Sequence, residues 1–405
     1  MTAIAQTPVR HIVAAISDAA ERWADADFPA RVRAIDGIAQ RTGYSVPVVE
    51  YALDRIFFSL TKPALEATIA NELGSLDALD GFTQRNRRPD AHAAPVGRVC
   101  IISSRTTIGV AILPSIFALC AKCDVVVKDR EDGLIRAFFS TLHEELDALE
   151  GAAVACEWKG SDEERLEEYD AIVAFGSDET LARIRERTAY AARFAGFGSK
   201  ASIGYFGRDA LVQNTLHDLC DAAARDVVLY ETEGCMSLHV LFVENSQGVN
   251  AGDAASALAA AIQRAAVEFP PGRRDASASA RILNARNLAA FRACAGKGAT
   301  FSDARASFLV VLDPPADEPP IFAPRAIAVR GVADPAQARA YVRGHRLPVE
   351  AVAIAGTRCD IVNMALDMGA NRITAFGELQ RPPLEGGHGG RTRVVDFVRW
   401  VTREV

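Results

Sequence analysis

From residue 96 onward, short apolar runs of strand length alternate with stretches of helix length. The run VGRVCIIS is followed by the turn-like SSRTT, the helical IGVAILPSIFALCAKC and a second apolar run, DVVVK. Further runs, AAVACEW, DAIVAFG and KASIGYF, alternate with helical segments up to residue 207. Parallel strands need a crossover connection, which is usually a helix. The alternation therefore predicts an α/β fold with a doubly wound parallel sheet over residues 90–207, and a ligand crevice at the strand ends.

The first 75 residues carry a different pattern, in which apolar residues recur at helical spacing. Pro47 stands near a predicted helix start, and Gly74 follows a predicted helix end. The segment RNRRPDAHAAP (85–95) is polar and bounded by proline, so we predict a connection there.

Composition limits the classes of partner and the location. The net charge is −7, which disfavours nucleic acid as the main partner. No apolar window is long enough to span a membrane, and the first residues lack a secretory signature. The eight cysteines are not closely grouped, which is typical of reduced thiols in a cytoplasmic protein. Cys120 and Cys123 form a C-x-x-C with no second ligand pair at zinc spacing, so we predict no metal site.

One cysteine stands where a nucleophile is expected. Cys235 follows Gly234 and directly precedes the apolar run MSLHVLFV. A loop thiol before a buried strand is held rigidly yet can face a cleft, as covalent thiol catalysis requires. Small buried apolar positions are predicted for the other seven: Cys100, Cys120, Cys123, Cys156, Cys220, Cys294 and Cys359.

Segments spread over residues 65–405 carry a family resemblance. In chain order they are ELGSLDALDGF, VGRVCIIS with the following helix and DVVVK, AFGSDETLARIR, RFAGFGSKASIGYF, RDVVLYETEGCMSLHVLFVE and RITAFGELQRPPLEGGHGGR. The ordered set resembles the long-chain acyl-CoA reductases of the bacterial luminescence type (the LuxC family), within the aldehyde dehydrogenase superfamily.

This resemblance implies an aldehyde dehydrogenase-like fold and a homo-oligomer. Its predicted parts are a helical N-terminal segment (1–89), a Rossmann-like nucleotide-binding domain (90–207), an α/β catalytic thiol domain (208–360) and a C-terminal segment (361–405). The last segment would return to the nucleotide-binding domain or pack on a partner subunit.

The resemblance also implies roles for three residues in catalysis. Cys235 would be the acylated thiol, and Thr106 stands where the family usually has the asparagine that binds the oxyanion. His239 matches a histidine that follows the cysteine motif. If the strand begins at Cys235, the two side chains would share a face. A core histidine is the alternative for His239, and the two readings stay open.

Further positions match the nucleotide site of the family. They are Gly176 and Ser177 at a helix start, Lys128 at a strand end, and the glycine–x–lysine pair Gly198 and Lys200. Lys128 would reach the adenosine ribose, or is a solvated strand-end lysine. Arg105 or Arg130 could pair with a 2′-phosphate, which favours NADPH while leaving NADH possible.

Gly196 bears on the chemistry because hydrolytic aldehyde dehydrogenases have a water-activating glutamate at the matching position. Without that base the resemblance favours thioester chemistry. The predicted reaction is NADPH-dependent reduction of an acyl thioester to an aldehyde through acyl-Cys235. The acyl donor would be acyl-CoA, or a carrier or acyl-protein synthetase partner. The unusual SSRTT and KDR loops leave two alternatives open, an acyl-transfer protein without redox activity and a non-catalytic scaffold.

Overall fold

The structure is a computed structural model that describes residues 3–85, 88–105, 107–131, 133–158, 166–211, 213–246 and 248–404. The chain divides into two compact units. Unit 1 consists of Met1–Thr42, Val49–Ser199 and Pro383–Val405, and unit 2 of Gly43–Val48 and Lys200–Pro382. The four-part division predicted from the sequence is finer than this one and stays a prediction.

The first helices of the chain pack around aromatic residues. The helices described up to residue 186 are α1 (Ala3–Gln6), α2 (Val9–Ala24), α3 (Pro29–Thr42), α4 (Val46–Phe57), α5 (Lys62–Leu73), α6 (Ile112–Cys120), α7 (Leu134–Glu145) and α8 (Asp178–Glu186). Trp23 is fully buried, and its ring lies 5.1 Å from Phe57 and 6.2 Å from Phe138. As predicted, Pro47 lies in the first turn of α4. Gly74 ends α5 in the left-handed conformation that glycine tolerates.

A five-stranded parallel sheet forms the centre of unit 1 and confirms the alternating pattern. Its strands are β3 (Arg98–Ile102), β4 (Asp124–Lys128), β5 (Ala153–Cys156), β6 (Ala171–Phe175) and β7 (Arg193–Phe197), in the order β5-β4-β3-β6-β7. The chain runs from β3 outward to β5 and then returns to place β6 on the other side of β3. That reversal creates a crevice at the carboxyl ends of β3 and β6.

A second, antiparallel sheet in unit 1 corrects the prediction of a connection at residues 85–95. Its strands are β1 (Thr83–Arg85), β2 (Arg88–Pro95) and β15 (Val398–Arg403), in the order β1-β2-β15. Ala91 and Ala93 point into the core, while the intervening His92 is half-buried. The sequence pattern missed β2 because its inward residues are small and its partner β15 lies some 300 positions later in the chain.

Unit 2 is built on a seven-stranded sheet whose order is β10-β11-β12-β9-β8-β13-β14. Its strands are β8 (Ala201–Phe206), β9 (Leu238–Glu244), β10 (Ala299–Ser302), β11 (Leu309–Leu312), β12 (Ala326–Val332), β13 (Val349–Ala355) and β14 (Arg372–Thr374). Only the β10–β11 pair is antiparallel among the described strands of this sheet. The helices are α9 (Gln213–Val228), α10 (Ala251–Glu268), α11 (Ala276–Cys294), α12 (Pro335–Gly344) and α13 (Cys359–Asp367).

The strand KASIGYF corrects a second assignment. The sequence pattern placed it in the sheet of residues 90–207, whereas β8 lies between β9 and β13 of unit 2. A turn of three residues, Gly198 to Lys200, separates β7 from β8, so proximity in sequence suggested one sheet where there are two. Within the residues that the structure describes, no helix is long and apolar enough to span a bilayer.

The cysteines are all free thiols, and their burial matches the prediction in part. Cys100, Cys120, Cys123 and Cys220 are buried and Cys156 is half-buried. The prediction was wrong for Cys294 and Cys359, which are exposed at the last residue of α11 and the first of α13. Helix ends project from the core, so a small apolar side chain there need not be buried.

Candidate active site

Cys235 lies in the loop between α9 and β9 in unit 2. Three successive residues before it, Tyr230, Glu231 and Thr232, have φ angles of 55°, 52° and 58°. This left-handed conformation is uncommon for residues other than glycine, and it concentrates at functional sites. It reverses the chain within a few residues, so the loop that carries Cys235 has a defined shape rather than an extended one.

Two hydrogen bonds hold this loop from neighbouring elements. The Ser202 hydroxyl in β8 donates to the backbone carbonyl of Cys235 over 2.8 Å. The Gln380 side-chain amide donates to the Ser237 hydroxyl over 2.9 Å. The thiol is thus fixed by the sheet on one side and by a later segment on the other, as a reacting group requires.

The Cys235 thiol is half-buried and protonated at neutral pH. Burial raises its pKa to about 11, and the negative charge of Glu350 adds to the rise. The positive charge of Lys200 and the backbone amides of Cys235 and Met236 act in the opposite direction. A nucleophile with this pKa must lose its proton to a neighbouring group before it attacks.

The neighbouring charges belong to one ion pair. Lys200 directly precedes β8, and its Nζ donates to Glu350 Oε2 in β13 over 2.7 Å. The Glu350 side chain is only 5% exposed, so its charge is paired inside the protein. The Asn371 side-chain amide donates to the same carboxylate oxygen over 3.2 Å. The thiol is therefore under the electrostatic influence of a cation and a carboxylate that are paired with each other.

A second buried arrangement lies behind this pair. Arg372 donates to the backbone carbonyls of Glu378 and Leu379. Burial lowers its pKa, while Asp226, Glu350, Glu378 and Cys235 oppose that fall. Asp226 accepts backbone hydrogen bonds, and burial raises its pKa to about 7. Arg372 is thus a second cation close enough to favour the thiolate form of Cys235.

His239 is the second residue of β9 and is 3% exposed. The strand begins at Leu238 and not at Cys235, so the argument that both side chains share a strand face does not hold. No described residue forms a hydrogen bond with His239 Nδ1, and the ring lies 5.1 Å from that of Phe322. Burial lowers its pKa to about 4, so the ring is neutral at physiological pH. Its catalytic role stays a prediction, and this environment is typical of a core histidine.

In unit 1, the residues predicted to bind a nucleotide meet at one sheet edge. Ile102 of β3 pairs with Lys128 of β4 and Ala174 of β6, so these parallel strands end nearly level. The predicted residues lie at or just beyond those ends and the end of β7: Arg105, Lys128, Gly176, Ser177 and Gly198. Thr106 lies outside the described residues.

The start of α8 is closely packed at this edge. The Ser177 hydroxyl accepts a hydrogen bond from the Thr180 amide over 3.3 Å and caps the helix. Asp178 Oδ1 accepts from the Ser199 amide over 3.1 Å. A Cβ at Gly198 would collide with that carboxylate unless the Asp178 side chain moved, which would break its hydrogen bond with the Ser199 amide.

Arg41, which the sequence did not single out, joins the two unusual loops. Its Nη1 donates to the carbonyls of Arg105 and Arg130 over 3.1 and 2.9 Å. The Lys128 side chain is largely buried, with Nζ 5.2 Å from the Trp158 ring centroid. This burial differs from the solvated strand-end lysine that was the alternative for Lys128.

Sequence reasoning missed Glu350 and Arg372, whose charges act on the nucleophile, and Asn371, which donates to Glu350. Glu350 had a signal, because it is a charged residue within the otherwise apolar run VEAVAIA. A carboxylate in a fully buried strand needs a partner, and that requirement points to a site. Asn371 and Arg372 lie at β14, a three-residue edge strand with no detectable pattern.

Solved structures of aldehyde dehydrogenases share this fold. An NAD-dependent benzaldehyde dehydrogenase from Corynebacterium glutamicum has 15% identity and a TM-score of 0.72, over 99% of this chain and 87% of that one. Aldehyde dehydrogenase 21 from Physcomitrella patens, in complex with succinate, has 12% identity and a TM-score of 0.74, over 98% and 86%. The glyceraldehyde-3-phosphate dehydrogenase GapN from Methanocaldococcus jannaschii, complexed with NADP, has 11% identity and a TM-score of 0.72, over 99% and 90%.

The protein therefore has the aldehyde dehydrogenase fold, as the sequence predicted. The family model for acyl-CoA reductase (LuxC) matches residues 4–400, so the chain belongs to that family. It is an aldehyde-forming oxidoreductase of the acyl-CoA reductase type. Among curated proteins, none matches the sequence significantly.

Proposed function

We propose that the protein reduces a fatty acyl thioester to an aldehyde with NADPH, through an acyl thioester on Cys235. The observation that carries the proposal is the position of a single half-buried thiol, in a constrained loop, under the influence of the Lys200–Glu350 ion pair. The free acid is not the expected product, because Gly196 replaces the glutamate that hydrolytic relatives use.

The first step is removal of the thiol proton, and Glu350 is the proposed acceptor. When its carboxylate takes the proton, the negative charge that opposed ionisation of Cys235 disappears. Lys200 and Arg372 remain as cations that favour the thiolate. The Glu350 carboxylate thus has two roles. Its charge keeps the thiol protonated in the resting enzyme, and it accepts the thiol proton when substrate binds.

The thiolate attacks the acyl carbonyl, and the carbon–sulfur bond to the donor thiol breaks. The departing thiolate takes back the proton from Glu350, which leaves acyl-Cys235 and a free donor thiol. The hydride for the second half of the reaction would come from NADPH, for which Gly176, Gly198, Lys128 and Arg105 are the proposed binding residues. Addition of a hydride and a proton to the thioester gives a thiohemiacetal on Cys235. Its collapse releases the aldehyde and restores the thiol.

The amides of Cys235 and Met236 favour negative charge at the sulfur. The same backbone region is therefore the proposed place for the oxyanion that forms when a carbonyl is attacked there. Thr106 stays the predicted additional donor, and His239 stays a predicted catalytic residue.

The residues at the carboxyl edge of the unit 1 sheet fit a nicotinamide nucleotide. Gly176 and Gly198 leave the backbone without side chains beside the start of α8, where phosphates bind favourably. Lys128 adds a cation at the same edge, and Arg105 is exposed. Arg105 is the proposed partner of a 2′-phosphate, which gives the preference for NADPH over NADH. A homo-oligomer and a carrier or synthetase partner stay predictions.

The SSRTT and KDR loops differ from the usual sequence of the family. This difference favours a second candidate function, acyl transfer from Cys235 without hydride chemistry. The experiment that separates the two follows NADPH absorbance with a panel of acyl-CoAs, comparing wild type with Cys235→Ala, and records the protein mass in parallel. NADPH oxidation in wild type alone supports the reductase. A mass increase on wild type without oxidation supports acyl transfer. If neither NADPH oxidation nor a mass increase occurs, both candidate functions are rejected.

A further inference from the structure

A cavity of about 660 Å³ lies in unit 2, formed by residues other than Cys235 and its charged neighbours. Its walls come from the end of α10, the start of α11 and the segment between β10 and β11. Small-molecule sites in proteins commonly have volumes of roughly 300–1,000 Å³, so this cavity is large enough for an organic ligand.

Three arginines line the cavity, and one of them is almost completely buried. Arg325 is 1% exposed; its Nε donates to Glu231 over 2.6 Å, and its Nη2 donates to the carbonyls of Phe269 and Pro270. Its Nη1 is also buried, yet no described residue accepts a hydrogen bond from it. A buried charged donor without an acceptor costs several times what an ordinary hydrogen bond contributes.

Arg274 repeats this incomplete pairing, and Arg305 adds an exposed cation to the lining. Arg274 donates to the carbonyls of Ala306 and Ser307, both over 2.6 Å, but its buried Nε has no acceptor among the described residues. Arg305 is exposed, and its guanidinium forms no ion pair within the described part of the chain. Three guanidinium side chains therefore contribute to the lining of the cavity, and that of Arg305 is exposed.

The carboxylates near these arginines are already engaged. Asp303, which also lines the cavity, accepts from the amide and hydroxyl of Ser307. Glu231 accepts from Arg325, from Arg274 over 3.3 Å and from the Gly272 amide over 3.2 Å. Three arginines thus stand against two carboxylates, so the lining of the cavity and its direct partners carry an excess of positive charge.

We propose that this cavity binds the phosphate group of a small organic phosphate monoester. A phosphate monoester carries a charge of roughly −1.5 to −2 at pH 7 and has three strong acceptor oxygens. Guanidinium ions match such oxygens with paired N–H groups. The volume exceeds that of a bare phosphate ion, which points to an ester with an organic part. The site is separate from the thiol, so it does not depend on the proposed function.

Isothermal titration calorimetry on the full chain tests the proposal, with phenyl phosphate, inorganic phosphate and phenyl sulfate as probes at matched ionic strength. We expect phenyl phosphate to bind most tightly, because it combines the dianion with an organic group. Arg305→Gln removes an exposed cation without breaking an internal contact, and should weaken phenyl phosphate binding by about tenfold or more. Arg33→Gln, on the exposed face of α3 in unit 1, is the matched control and should change nothing.

A second variant guards against an indirect effect. Ala266 lines the cavity from α10, and Ala266→Glu would place a carboxylate among the arginines and compete with the probe. Loss of binding in both Arg305→Gln and Ala266→Glu supports the site. No binding to wild type, or equal binding in all variants, overturns it, since water would then satisfy the arginines. Equal affinity for inorganic phosphate and phenyl phosphate would contradict the proposal that the ligand is an organic phosphate ester.

Discussion

Lys200 donates to Glu350 over 2.7 Å, and both charges act on the Cys235 thiol in opposite directions. The carboxylate holds the thiol protonated, while the lysine favours the thiolate. The chemistry of the site therefore depends on which of these two charges is neutralised first.

Replacement of Cys235 with alanine should abolish aldehyde formation and leave folding intact, because the side chain is small and half-buried. NADPH oxidation with acyl-CoA measures activity, and thermal unfolding measures stability. Cys294→Ala is the matched control, since that thiol is exposed at the end of α11. Residual turnover in Cys235→Ala above about one-thousandth of wild type would assign the nucleophile elsewhere.

Replacement of Glu350 with glutamine should slow acylation at pH 7 by about 100-fold or more, because the proton acceptor is lost. The thiol must then ionise unaided, with a pKa lowered by loss of the negative charge of Glu350, so the rate should keep rising with pH toward that lowered pKa. Single-turnover acylation between pH 6 and 10 records both profiles. Glu350→Asp, which keeps a carboxylate, should recover part of the rate. A pH profile identical to wild type in Glu350→Gln would exclude the proton-acceptor role.

Breaking the ion pair from the lysine side should destabilise the fold. Lys200→Met leaves a carboxylate that is 5% exposed without its cation, although Asn371 still donates to it, at a cost of about 3 kcal/mol. The double variant Lys200→Met/Glu350→Leu removes both charges and should recover most of that loss. Urea unfolding of wild type, Lys200→Met, Glu350→Leu and the double variant gives the coupling energy. Strictly additive effects would mean that the pair contributes no interaction energy.

Stability should depend on pH through His239. Its folded pKa of about 4 lies below the ordinary histidine pKa of 6.5, so the unfolded chain takes up a proton first as the pH falls. Stability is therefore lost between about pH 6.5 and 4, by about 3 kcal/mol in total. Asp226, whose pKa is raised to about 7, acts in the opposite direction over much of this range.

The effect of His239 is thus visible only as a difference between variants. His239→Leu should remove that loss, so its unfolding free energy should fall less than that of wild type from pH 6.5 to 4. If the unfolding free energies of wild type and His239→Leu changed with pH in the same way, His239 would not be a buried neutral side chain. Activity lost in His239→Leu, with stability kept at pH 7, would instead support the predicted catalytic role.

Cofactor preference should respond to Arg105. Arg105→Gln is expected to raise the KM for NADPH by about tenfold and leave that for NADH nearly unchanged, because only NADPH carries the 2′-phosphate. Steady-state kinetics with each cofactor checks this. Arg33→Gln again serves as the control for loss of one positive charge. An equal change for both cofactors would place Arg105 outside the 2′-phosphate site.

Most of the parallel strands could be predicted from the sequence, because each strand is marked by its own run of apolar residues. Strands such as β3, β4 and β6 are buried on both faces and read as unbroken apolar runs between helices. The prediction failed at β2, where alanine replaces larger apolar residues and the partner strand is remote. It also failed at β8, since no local signal tells which of two sheets a buried strand joins.

At the site, the thiol could be predicted and its charged neighbours could not. Cys235 has a recognisable surrounding sequence, whereas Glu350 comes from a strand 115 residues later. The pairing of β8 with β13 brings Glu350 to Lys200, and that register is a property of the folded sheet. The sequence analysis assumed that β9 begins at Cys235, whereas it begins at Leu238. The orientation expected for His239 relative to Cys235 therefore does not follow.

The pairing of β2 with β15 has a consequence for synthesis on the ribosome. Residues 88–95 leave the ribosome long before residues 398–403, and the large part of unit 2, Lys200–Pro382, is made in between. The nascent chain therefore carries an open strand edge on unit 1 while about 300 further residues are added. Until the last strand arrives, that edge is available to other chains, and chaperone binding would protect it.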